Sequence, residues 1–90
     1  MNQYKPFDLE LRLDHKIALI TGAASGIANA TAKMMSKKGA TVIMADIDPQ
    51  VVEAAKEVER ATAVVVDITD YAQLEKTVDS LTKTVGDIDI

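Results

Sequence analysis

Apolar positions along the chain fall into three rounds of one pattern. A β-rich run, Ile17 to Ile20, leads into a glycine-containing turn. A stretch from about Ser25 to Lys38 follows, in which Ile27, Ala30 and Met34 recur on one face of a helix. Gly39 closes that helix after Lys37 and Lys38, where positive charge suits the carboxyl end. A second run, Thr41 to Ala45, precedes Asp46, and Asp48 and Pro49 then supply an N-cap and a first helical residue. The helix they open sets Val51, Ala54, Ala55 and Val58 at the i, i+3, i+4, i+7 spacing of a buried stripe. In the third round, Ala63 to Val66 is a short β-branched run bounded by Asp67. Thr69 or Asp70 caps a helix carrying Tyr71, Leu74, Val78, Leu81 and Val85 along one side, and Gly86 ends it. Ile88 to Ile90 reads as the opening of a fourth strand.

Continuous rather than alternating apolar runs mark strands covered on both faces, the signature of a parallel sheet. Strand and helix alternating at this spacing therefore predict right-handed βαβ units in a three-layer α/β sandwich. The expected sheet has three strands in the order 3-2-1, with the start of a fourth beside the first. Residues 1–15, with Leu9, Leu11 and Leu13, read as a short extended lead-in, and residues 1–90 as one partial domain.

Composition narrows the partners. The chain has 90 residues, 48% of them hydrophobic and 27% charged, with a net charge of -4 and no cysteine. That is room for one small core. An acidic balance with lysines scattered singly or in pairs offers no basic stripe for phosphates, so nucleic acid is not expected as a ligand. Without cysteine there is no disulfide, thiolate metal site or cysteine nucleophile, which fits a reducing cytoplasm. Arg12, Asp14, His15 and Lys16 interrupt the first apolar stretch, so neither a signal peptide nor a membrane span is expected.

Candidate chemistry concentrates in Thr21-Gly22-Ala23-Ala24-Ser25-Gly26-Ile27-Ala28, where the first strand turns into the first helix. Gly22 allows a tight exit from the strand, and Gly26, lacking a Cβ, allows a diphosphate to approach the backbone. Unpaired amides and the positive end of the helix dipole face such a ligand. Ser25 can cap the helix or donate to a ribose or phosphate oxygen. Asp46 lies 24 residues after Gly22, at the end of the second strand, near the spacing at which an acidic side chain meets the adenosine ribose. A carboxylate there accepts hydroxyl hydrogen bonds and repels a 2′-phosphate. With no cation at positions 23–25 or 47, NAD is favoured over NADP.

The Thr21 to Ala28 segment, preceded by Lys16-Ile17-Ala18-Leu19-Ile20, resembles the TGxxxGxG turn of the short-chain dehydrogenase/reductase family. Asp67-Ile68-Thr69 resembles that family's Asp-aliphatic segment after the third strand, and Gly86-Asp87-Ile88-Asp89-Ile90 its lead into the fourth. The resemblance implies a Rossmann-like fold, truncated relative to the family. It places a nicotinamide dinucleotide on Gly22, Ser25, Gly26, Ile27, Asp46, Ile47, Asp67 and Ile68, with the Asp67 carboxylate on the adenine amino group and the backbone that follows stacked on the ring. The parent protein is expected to be an oxidoreductase transferring hydride between NAD and an alcohol or ketone, homo-oligomeric in its full-length form. In two respects this sequence departs from the family. Ala28 stands where the turn's last glycine is expected, and the Asn-Ala-Gly segment, active-site serine and Tyr-x-x-x-Lys pair of the family have no counterpart among these residues. No catalytic residue is therefore assigned, and the chain alone is expected to be inactive. The alternative reading is a non-catalytic nucleotide-binding or interaction fragment.

Other candidates have plainer readings. Tyr71 has Glu75 four positions on and Tyr4 has Asp8, so neither phenol has a lysine to lower its pKa. His15 sits in a polar turn without a partner constellation. Asp46 with Asp48, and Asp67 with Asp70, are explained by capping or ribose contact rather than by a metal. Met34 and Met35 read as the core and flank of one helix. A phosphoacceptor domain needs an acidic pair at the end of the first strand, where Thr21-Gly22 stands, and a P-loop needs a lysine after Gly26.

Overall fold

A computed structural model of the chain describes residues 12–90. Strands β1 (Ile17–Thr21), β2 (Thr41–Asp46) and β3 (Ala61–Val65) alternate with helices α1 (Gly26–Lys37), α2 (Gln50–Ala55) and α3 (Tyr71–Thr84). The sheet is parallel with β2 in the centre, which is the expected 3-2-1 arrangement. Ile17 pairs with Thr41 at one end and Asp46 with Val65 at the other. β2 is buried from Val42 to Ala45, as a central strand covered on both faces must be.

The main core lies on one face of this sheet. Val42 and Met44 meet Ala23, Ala32 and Ala40 from the α1 side and Val51, Ala55 and Val58 from the α2 side, with Leu13, Ile20, Met35, Ala61 and Ala63 packed around them. Because side chains alternate along a strand, the fully buried Ile43 points to the opposite face.

Helix α1 does not present the stripe read from its larger residues. Ile27 is 88% exposed, Met34 is 41% exposed and Ala30 is exposed as well. The inward row is Ala28, Ala32, Met35 and Ser36, spaced i, i+4, i+7, i+8, so Met35 and not Met34 meets the core. Weighting positions by hydrophobicity favours the bulky row, whereas the sheet takes the row of small side chains. Its one polar member is accommodated because Ser36 Oγ donates to the Glu59 carbonyl at 2.6 Å. Because Met35 is only half-buried, Met35→Ala is expected to cost about 2 kcal/mol, the low end for a core methionine, in a urea titration, and Met34→Ala no more than about 0.5 kcal/mol. Equal losses would reinstate the bulky row.

The helix ends follow their local sequence. After α1, the Gly39 amide donates to Ser36 and the Ala40 amide to Met35, the paired bonds of a Schellman stop. α2 starts one residue later than expected, yet Asp48 still closes its first turn, with Oδ1 accepting from the Gln50 amide at 2.9 Å. α2 also ends early, leaving Val58 buried in the turn beyond it. β3 begins two residues before the β-branched run because pairing with Val42 recruits Ala61. Asp70, of the two expected caps, is the one used: its Oδ1 accepts from the Gln73 amide. Along α3 only Leu81 is buried, and Tyr71 is 78% exposed.

The chain then returns to β1. Asp89 and Ile90 donate to the Ile17 carbonyl, and Leu19 donates to Ile90 at 3.1 Å, so the final residues begin to pair along the first strand as expected of a fourth. Of the lead-in, Leu13 packs on the core, while Leu9 and Leu11 lie outside the described residues.

Candidate functional site

Parallel strands with helical crossovers bring all their carboxyl ends to one edge, where a crevice opens between the loops. Here that edge holds a cleft of about 400 Å³. Gly22, Asp46, Ile47, Asp67 and Ile68, five of the residues singled out in the sequence, line it together with Thr21, Ala45, Val66 and Thr69. Ile47 and Ile68 are 63% and 50% exposed, two apolar side chains held open to solvent on the loops after β2 and β3.

The turn from β1 into α1 is tied down at successive residues. The Ala23 amide donates to the Ala45 carbonyl at 3.1 Å, and the Ala24 amide to Asp46 Oδ2 at 3.0 Å. Asn29 Nδ2 donates back to the Ala23 carbonyl at 3.0 Å. Gly22 and Gly26 both take φ near +68°, a conformation that costs an L side chain strain. At Gly26 no heavy atom stands within 4 Å of where a Cβ would be, so its bare backbone faces open space rather than protein. The methyl group of Ala28 stands 4.0 Å from the equivalent point on Gly22, an ordinary contact. The departure from glycine at position 28 thus places its methyl group alongside the turn without crowding it.

Ser25, Gly26 and Ile27 lie at the start of α1 and do not line the cleft itself. Ser25 occupies the N-cap position, but its hydroxyl makes no capping bond, and no acidic residue stands in the first helical turn. The positive end of α1 is therefore not neutralised from within, which suits an anion.

Asp46 turns toward the glycine turn. Its Oδ1 accepts from the Asp48 amide at 3.1 Å and its Oδ2 from the Ala24 amide. These bonds, from Asp48 and then Ala24, hold the Asp46 carboxyl below the ordinary aspartate value of 3.8. Asp67 is held low in the same way by the hydroxyl and amide of Thr69, both donating to Oδ1 at 2.6 and 2.9 Å. The Asp67 amide itself donates to Gln73 Oε1. Of the pair Asp46 and Asp48, Asp48 serves the start of α2, its Oδ1 accepting from the Gln50 amide. Sequence reading missed Asn29, whose side chain reaches six residues back across the turn, because no local pattern marks such a contact.

A parallel βαβαβ sheet whose first turn is glycine-rich, with a carboxylate aimed at it from the tip of the second strand, defines a dinucleotide-binding class of fold. The family model for short chain dehydrogenases matches residues 16–90, and the chain belongs to that family. Its sequence is 40% identical over 89 residues to an NAD-dependent glycerol dehydrogenase of Listeria innocua, covering 97% of this chain and 35% of that protein. It is 44% identical over 82 residues to a galactitol 2-dehydrogenase of Agrobacterium fabrum, covering 89% of this chain and 32% of the relative. Among solved structures, a 3-ketoacyl-(acyl-carrier-protein) reductase from Brucella melitensis complexed with NADH superposes with a TM-score of 0.80 at 37% identity, over 86% of this chain and 33% of that one. The chain thus spans about a third of the length of the proteins it matches. These relatives are oxidoreductases by name, and among the described residues no helix is long and apolar enough to cross a membrane.

Proposed function

We propose that this chain is the NAD-binding portion of a short-chain oxidoreductase that exchanges hydride between the nicotinamide cofactor and an alcohol or ketone. One observation carries the reading: a single cleft gathers Gly22, Asp46 and Asp67, with the Asp46 carboxylate fixed by backbone amides beside the glycine turn. The open space at Gly26 is what a ligand approaching the backbone requires.

In this reading the amino end of α1, reached across Gly22, Ser25, Gly26 and Ile27, holds the diphosphate. Asp46 accepts from the adenosine ribose hydroxyls through the lone pairs that its amide bonds leave over. Ile47 and Ile68 offer apolar surface to the adenine, and the Asp67 oxygen not used by Thr69 accepts from its amino group. When bound, the nicotinamide supplies the hydride donor or acceptor. The family's Tyr-x-x-x-Lys pair, which the resemblance makes the proton-transfer group, has no counterpart among the 90 residues, and in this reading the chain by itself is inactive. A homo-oligomeric parent, a cytoplasmic setting, and residues 1–90 as one partial dinucleotide-binding domain belong to the same proposal.

Thermal unfolding with either nucleotide tests it. NAD at ten times its dissociation constant is expected to stabilise the chain by about 1.4 kcal/mol. NADP at the same concentration should have a smaller effect, because its 2′-phosphate meets the ionised Asp46. A chain whose midpoint moves with neither nucleotide at millimolar concentration is not a dinucleotide-binding unit.

A further inference from the structure

We infer that Asn29 is a positioning residue for the diphosphate turn, an inference that rests on the dinucleotide-binding reading above. Three bonds fix the consecutive residues Ala23 and Ala24. Two of them come from β2, through the Ala45 carbonyl and the Asp46 carboxylate, and the third comes from the helix that the turn itself opens, through Asn29 Nδ2. Ala23 is fully buried, so its carbonyl has no solvent to turn to if that donor is removed.

The bond crosses from the first turn of α1 back to the peptide between Ala23 and Ala24. That peptide carries the amide that grips Asp46, so the orientation of one end of the peptide plane is set by Asn29 and of the other by Asp46. Asn29 therefore couples the start of α1 to the carboxylate proposed to hold the ribose, and does so without lining the cleft. A turn held in one geometry before the nucleotide arrives spends less binding free energy on ordering. Gly22 and Gly26, which flank this segment, are the positions where the backbone is otherwise least constrained.

The test uses the 90-residue chain with and without NAD. In Asn29→Ala the nucleotide dissociation constant is expected to rise about 3- to 10-fold, the range that loss of one hydrogen bond gives. Hydrogen exchange in the ligand-free chain should accelerate at the Ala23, Ala24 and Ser25 amides by a larger factor than at the amides of α3. Alanine is a good helix former, so α1 itself should persist. Asn29→Gln, which keeps an amide donor on a longer stem, should recover part of both effects. A uniform acceleration over the whole chain, with glutamine no better than alanine, would make Asn29 a general stabilising residue and overturn the inference. Unchanged exchange at the turn overturns it whatever the nucleotide does. Failure of the unsubstituted chain to bind NAD removes the dinucleotide reading instead, and the exchange pattern then decides separately whether Asn29 braces the turn.

Discussion

Asp46→Ala is expected to weaken NAD binding by about 30-fold or more, corresponding to about 2 kcal/mol for the hydroxyl hydrogen bonds lost from a charged acceptor. The substitution also removes the acceptor for the Ala24 and Asp48 amides, so the turn is expected to loosen along with the loss of the proposed ribose contact. Asp46→Asn separates the two contributions, because its carbonyl oxygen can keep one amide bond while the charge is gone. The discrimination against NADP proposed for this carboxylate should shrink in both variants. Titration calorimetry with the two nucleotides reads all of this, and an unchanged NAD affinity in Asp46→Ala would remove the ribose role. The pH dependence has a definite sign. Asp46 and Asp67 have folded-state values lowered from 3.8, so each contributes stability that is fully present above that value and is lost as the pH falls through the lower folded value. Affinity for NAD should accordingly hold from neutrality down to about pH 4 and decline only below it, with the Asp46→Asn variant showing a flatter acid limb.

Much of the architecture was legible because it rests on local chemistry. The continuous apolar run Thr41 to Ala45 reads as a strand covered on both faces, and its Val42 to Ala45 are buried; Asp48 and Gly39 mark helix ends by local chemistry, and Asp70 was one of two caps in view. The inward face of α1 was not legible. Both the Ile27-Ala30-Met34 row and the Ala28-Ala32-Met35-Ser36 row have helical spacing, and only the packing of the helix against β2 selects between them. The start of β3 was missed for a related reason. Ala61 is a poor strand former, and Thr62 is a β-branched residue isolated between two alanines, so it is their pairing with Val42 and Ile43 that extends the strand to them.

The site divides along the same line. Gly22 and Asp46 could be found from a turn and a spacing, since the geometry of a strand-turn-helix unit places both at the same sheet edge. Ser25 could not be assigned to one of its two roles in advance, and the structure leaves its hydroxyl out of the helix cap. Asp67 takes up the turn reading, with one oxygen accepting from the Thr69 amide and hydroxyl, and the residue lines the cleft. Asn29 lay beyond reach because its partner, a main-chain carbonyl, leaves no mark in the identity of residue 23.

The core should prove as sensitive as the cleft. Met44 is fully buried where α1, α2 and the sheet meet, among Ala23, Ala32, Val51 and Ala55. Most of the cluster around it is alanine, with Ile20 and Met35 only at its margin, so Met44→Ala is expected to leave a cavity that collapses only in part. The cost for such a truncation is about 2–5 kcal/mol, and for a domain of this length each kcal/mol lowers the midpoint by about 4–8 °C. A small domain with a stability of only about 5–10 kcal/mol would then lose a large part of it, and the fall should show as a midpoint at least about 8 °C lower by circular dichroism. Met44→Leu, close in volume, should cost less than about 1.5 kcal/mol. Because Met44 precedes Ala45, which anchors the Ala23 amide, and Asp46, which anchors that of Ala24, the same truncation should also accelerate amide exchange in the glycine turn. A variant with an unmoved midpoint would mean that the neighbouring side chains do close the gap.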